Sequence, residues 1–153
     1  MSKELLNHIG ESTAYSAKGH FKTADVRRRT TYAYIVINIV FAVMAISGLF
    51  TQAWIQILSV VSLLSSILLL ISESHGGLGI CNRHDKFGNQ YLELHNDCYA
   101  EFLKDSIDEI AISKLQERHN KLNKAERPTI NYWGRRLSKA AIEKSKEMKI
   151  WWK

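Results

Sequence analysis

Between Thr30 and Ser72 the chain runs forty-three residues without a charged side chain or a histidine. As one helix that run would be ~64 Å long at 1.5 Å per residue, about twice the thickness of a bilayer's hydrocarbon core. It must therefore fold back, and the natural break is Ser47-Gly48-Leu49-Phe50-Thr51-Gln52-Ala53, where Gly, Thr and Gln interrupt the apolar pattern. Two segments remain, 30–50 and 54–72, each near the ~20 residues that a spanning helix needs. The second holds twelve Ile, Leu and Val residues between Ile55 and Ile71. At roughly −0.3 to −0.6 kcal/mol each, these outweigh its one Gln and five Ser by several kcal/mol. Burial of both segments in a soluble core would need more protein than 153 residues supply. The expected fold class is all-α, built on a two-span membrane hairpin.

Lys18, Lys22 and Arg27 to Arg29 precede the first span, while the loop between spans carries no charge. Positive residues stay on the cytoplasmic side, so both termini are expected in the cytoplasm, with the tight turn outside. No apolar core ahead of Thr30 suggests a cleavable signal, so the first span is expected to direct insertion. Cys81 and Cys98 then lie on the reducing side, where a disulfide is disfavoured. Four regions follow: an N-terminal helix over 1–29, the hairpin over 30–72, a long helical region over 73–127 and a basic helix over 128–153.

Charge separates these regions further. Residues 54–117 carry nine acidic and four basic side chains, whereas residues 118–153 carry eleven basic and three acidic. Gly76, Gly77 and Gly79 form a break at the membrane surface and are expected to act as a hinge. Beyond them Phe87, Tyr91, Leu94, Cys98 and Phe102 recur at helical spacing, continued with a shift of phase by Leu103, Ile107, Ile110 and Leu115. A stripe of this kind is a seam for another helix, either the chain's own N-terminal helix or a neighbouring subunit's. Pro128 marks the next boundary, and the last helix is expected from Thr129 onward.

No catalytic set stands out: there is no nucleophile elbow, no HExxH and no carboxylate pair whose placement can be argued. The chain is therefore expected not to be an enzyme and to use no cofactor. Cys81-x-x-His84 and His95-x-x-Cys98 have a zinc-like spacing. On one continuous helix, however, the two pairs stand ~16 Å apart and cannot share an ion, and only a turn at Gly88-Asn89 would join them. In the second span Gln56, Ser59, Ser62, Ser65 and Ser66 fall within half of a helical wheel, and the first span adds Asn38. These residues either pack helix against helix or line a pore built from several subunits. With no residue that ionises near neutral pH in either span, proton-coupled transport is disfavoured and any pore would be poorly selective. The basic tail, with Trp133, Arg135, Arg136, Lys139, Trp151 and Trp152, suits an acidic partner protein or the anionic inner leaflet. Direct nucleic-acid contact is a lesser alternative.

A short N-terminal helix carrying Ala17-Lys18-x-His20-Phe21-x-x-Ala24 leads into the hairpin, and an aromatic, acidic helix and a break near Pro128 follow. This layout resembles the SLATT family of small two-transmembrane proteins, whose plan would cover nearly all of residues 3–145. The resemblance implies an antiphage effector of the bacterial inner membrane that oligomerises, perforates or depolarises the bilayer, and arrests growth as in abortive infection. It also implies a cytoplasmic partner encoded nearby, a nucleotidyltransferase or, in one branch, a reverse transcriptase. The runner-up is a non-conducting anchor that tethers such a partner through the basic C-terminal region.

Overall fold

A computed structural model of the chain describes residues 2–47, 51–74, 77–104, 108–148 and 151–152. Among them there are five α-helices and no strand: α1 (Ser2–Ile46), α2 (Gln52–Ser74), α3 (Gly77–Phe102), α4 (Glu109–Lys124) and α5 (Tyr132–Glu143). The all-α expectation holds. The chain divides into two compact units, residues 26–81 and residues 1–25 with 82–153. No proline or charge-driven turn interrupts α1, which runs through the 45 residues of both the N-terminal region and most of the first apolar segment.

In the unit formed by residues 1–25 and 82–153, a buried stripe on α1 (Leu6, Ile9, Thr13, Ala17, His20, Ala24) repeats every three or four residues. Leu6 and Ile9 pack with Leu94 and Cys98 of α3 and with Ile112 and Leu115 of α4. The α3 stripe is thus a seam for the chain's own N-terminal helix. Fully burying each of these aliphatic side chains contributes roughly 1.5–3 kcal/mol.

The phase shift after Phe102 has a simple cause, because α3 ends there instead of continuing. Asp108 caps α4, its carboxylate accepting from the Ile110 amide at 2.9 Å, and Leu103 and Ile110 on either side of the gap are exposed. Ile107 lies outside the described residues. Lys121 and Lys124 face the negative end of the α4 dipole, and Pro128 stops any continuation. Asn131 then caps α5, accepting from the Gly134 amide at 2.6 Å.

Helix α5 is shorter than expected. It closes at Glu143, and Lys146, at φ 50°, turns the chain back. Glu147 is held there by Lys18 at 2.9 Å and Lys22 at 3.3 Å. The returning strap places Met148 and Trp152 against Ala14 and Ile142, and lays Trp151 on α1, on His95, Tyr99 and Phe102. Trp152, expected at a surface, is a core residue, and Trp151 packs half-buried against the same core.

Two glycines make this packing feasible. A Cβ on Gly10 would stand 2.3 Å from the Trp151 ring, and one on Gly134 would stand 2.0 Å from the Thr23 hydroxyl. Gly10→Ala should therefore cost about 1–3 kcal/mol, because a rigid indole cannot yield as a flexible chain end would. Gly79, whose added Cβ meets nothing within 4 Å, gives the contrast. Gly79→Ala should leave stability unchanged or raise it by up to about 1 kcal/mol, since α3 gains helix propensity. Denaturant titration of the detergent-solubilised full chain, followed by tryptophan emission, checks both.

Candidate functional site

In residues 26–81, the polar groups read from the sequence fall into two sets. Asn38 of α1 accepts from Ser62 Oγ at 3.0 Å and from Ser66 Oγ at 3.3 Å, so α1 and α2 meet at this point. The Ser66 proton is shared with the Ser62 carbonyl, 2.9 Å away. Asn38, Ser62 and Ser66 therefore satisfy one another inside one chain, the arrangement expected of polar residues between packed apolar helices. Ser59 and Gln56 are exposed on α2, and the Ser59 hydroxyl is already bonded to the Ile55 carbonyl at 2.8 Å. Beside this seam a groove of about 330 Å³ is lined by Ala42 and Ala45 on one helix and Ser59, Ser62 and Ser66 on the other. Ser65 is buried, and its hydroxyl has no hydrogen-bond partner among the described residues.

The other unit holds a buried polar array that sequence reasoning passed over. His20 on α1 and His84 on α3 approach with Nδ1 atoms 2.8 Å apart, which requires one proton between the two rings. His20 stacks on Phe87 and Tyr91 at centroid distances of 5.9 and 5.8 Å. The Tyr91 hydroxyl donates to Asn123 Oδ1 at 2.9 Å and accepts from the Arg127 guanidinium. One turn away, His119 Nε2 accepts from Asn123 Nδ2 at 3.1 Å and lies 3.2 Å from Ser12 Oγ. Burial first, then the neighbouring His84 and Arg127, pushes the His20 pKa down to about 4. Burial also lowers His119 and raises Tyr91.

His95 serves the strap. Its Nδ1–H donates to the Gly10 carbonyl at 2.9 Å, leaving Nε2 to accept the Trp151 indole N–H at 3.3 Å. This bonding needs neutral imidazole, and burial lowers its pKa accordingly. Cys98 lies in the apolar core, its thiol pushed up to about 12 by burial, which makes it inert.

The zinc spacing finds no centre. Because α3 is continuous from Gly77 to Phe102, the pairs Cys81/His84 and His95/Cys98 stay eleven residues apart on one helix. His84 is engaged with His20 and His95 with Gly10. No group of three or more His, Cys, Asp or Glu able to hold a metal occurs among the described residues. Gly88, where a turn would have been needed, is helical, and a Cβ there would stand 2.7 Å from the Phe21 ring. It serves the close approach of α3 to α1.

Of the expected hinge, Gly76 lies outside the described residues, while Gly77 and Gly79 belong to the first turn of α3. Among the proposed surface residues, Trp133, Arg135, Arg136 and Lys139 are exposed, whereas Trp151 and Trp152 are turned inward. The His20–His84 pair joins positions 64 apart in sequence; each stood in a stretch already singled out, but nothing in the sequence paired them. The chain matches no protein-family model, and no characterised protein or solved structure matches it significantly.

The histidines set a pH dependence. An unfolded imidazole takes its proton near 6.5 and the buried His20 only near 4, so between those values the unfolded chain binds more protons. Stability contributed by neutral His20 is complete above about pH 6.5 and is lost as pH falls toward 4, by up to about 3 kcal/mol. His95 and His119 act in the same direction. Thermal unfolding of the detergent-solubilised chain should therefore move to lower temperature between pH 7 and pH 5. His20→Gln should flatten that slope without abolishing it, and an unchanged slope would count against His20 as its main source.

Proposed function

We propose that this chain is a membrane effector: a homo-oligomer inserted in the bacterial inner membrane through residues 26–81, which permeabilises that membrane when a cytoplasmic partner or signal releases it. The observation that carries the reading is the surface of those residues. Two helices there are long and apolar enough to cross a membrane, and only 6% of the most apolar stretch of each is buried. Val43 is 62% exposed, Ile46 85% and Leu70 69%, among more than a dozen aliphatic side chains that turn outward. A soluble monomer rarely exposes a contiguous apolar surface of this extent, and lipid is the medium that accepts it. The core of a soluble protein would show the opposite burial.

The two-span hairpin is supported by the bonds from Asn38 to Ser62 and Ser66, which bring α1 and α2 side by side. With basic residues Arg27 to Arg29 before the first span and no charge between the spans, both termini belong in the cytoplasm. The antiphage role, and the partnership with a reverse transcriptase or nucleotidyltransferase, rest on the resemblance to SLATT proteins.

Since Asn38, Ser62 and Ser66 already bond to one another within one chain, the polar residues exposed on α2 to line a water-filled path between subunits are Gln56 and Ser59, the latter through an oxygen whose proton is held by Ile55. The same closure favours the second reading, a non-conducting anchor, because it leaves little polar surface for a pore.

Induced expression in bacteria separates the two. A pore-forming effector should depolarise the membrane and arrest growth, and Gln56→Leu with Ser59→Leu should reduce depolarisation at least tenfold while insertion and the Asn38 contacts persist. Full depolarisation by that double variant would defeat the pore assignment. An unchanged potential with wild-type protein, alone, beside its genomic neighbour and during phage challenge, would favour the anchor.

A further inference from the structure

We propose that the outward face of α5 docks on an anionic phospholipid surface, so that the chain holds lipid headgroups with a part of itself outside the spanning helices. The inference rests on the membrane reading, which puts such a surface within reach.

Helix α5 buries Gly134, Ser138, Ala141 and Ile142 and leaves the rest of its circumference to solvent. At about 100° per residue, Arg135, Lys139 and Arg136 share one exposed arc with Glu143, whose carboxylate accepts from the Tyr15 hydroxyl at 3.1 Å, and Ala140, Trp133 and Leu137 occupy the arc beside it. Trp133 is 56% exposed, Tyr132 67% and Leu137 40%. A cationic arc bordering a Trp- and Leu-bearing arc is the pattern of a helix lying in the plane of a membrane interface.

The cations are open to a ligand. Elsewhere in this unit Lys18 and Lys22 hold Glu147, and Arg118 holds Glu93 and Asp97. Among the described residues, no carboxylate pairs with Arg135, Arg136 or Lys139. Two hollows, of about 320 and 360 Å³, adjoin at Ser16, Ile130 and Arg135. The charged side chains lining them are Arg127, Arg135 and Lys139, all cations, with the hydroxyls of Ser16, Thr129 and Ser138 beside them. Phosphate oxygens are the complementary group.

Nucleic acid offers phosphates too, but Leu137 gains nothing from a phosphate or a stacked base. An acyl boundary accepts it, and Trp and Tyr favour the headgroup level. An acidic protein would match the cations but gives no reason for the adjoining apolar arc.

The test uses the full chain carrying Leu137→Cys, labelled with an environment-sensitive fluorophore, with the wild-type chain as the labelling control because Cys81 and Cys98 are buried. It is reconstituted in lipid discs of phosphatidylcholine alone, or with about one third phosphatidylglycerol. The expected result is a blue shift in the anionic discs only, lost in high salt and lost with Arg135→Glu and Lys139→Glu. Equal emission in both kinds of disc, or a shift that survives charge reversal, would overturn the proposal. So would a shift in neutral discs on adding inorganic phosphate or a single-stranded oligonucleotide, which would assign the face to those ligands. A chain that enters neither kind of disc refutes the membrane reading alone. Flotation with phosphatidylglycerol vesicles then decides α5: salt-sensitive binding weakened about a hundredfold by the charge reversals supports docking, and no binding overturns it.

Discussion

The apolar surface of residues 26–81 is the constraint from which the rest follows. With no charged side chain or histidine from Thr30 to Ser72, the two helices cannot be hydrated at low free energy, and within lipid every backbone polar group must bond inside its own helix. That explains why the segments are helical and why the few polar side chains look to each other or to their own backbone. Asn38 accepts from two serines, and Ser59 turns back to its own backbone. What polarity remains, chiefly Gln56, is too little for ion selectivity, and this bounds any pore to a poorly selective one.

The second unit solves a different problem, building a stable core from few residues. Its apolar side chains are modest in number, and close approach makes up for them. Gly10, Gly88 and Gly134 let rings and backbones of neighbouring elements come nearer than any side chain would permit. The strap after α5 closes this core with two tryptophans, and its geometry depends on a histidine tautomer. Core closure and proton occupancy are therefore linked, since protonated His95 would have no lone pair for the Trp151 indole.

Burial also accounts for the chemistry this unit lacks. Histidines and cysteines at zinc-like spacing become core residues because α3 is continuous, and desolvation leaves the Cys98 thiol protonated and His20 and His95 neutral. The cations of α5 stand apart from this internal bookkeeping, on a face that the fold leaves open.

Local rules determined much of this in advance. The uncharged run dictated two apolar helices, the spacing from Tyr91 to Cys98 a buried stripe, and Pro128 a boundary, because each depends on residues a few positions apart. The glycine break was less legible: Gly77 and Gly79 continue a helix that glycine disfavours only mildly. Residues distant in sequence were decided by tertiary structure alone. His20 meeting His84, Asn123 bridging Tyr91 and His119, and Trp151 resting on Gly10 each needed helices to dock first. The same docking turned Trp152 from an expected surface residue into core and drew Trp151 half-buried against it, while leaving Trp133 exposed. A periodic pattern shows that a face will be buried; the element that buries it depends on chain reversals such as the one at Lys146, which sequence periodicity does not encode.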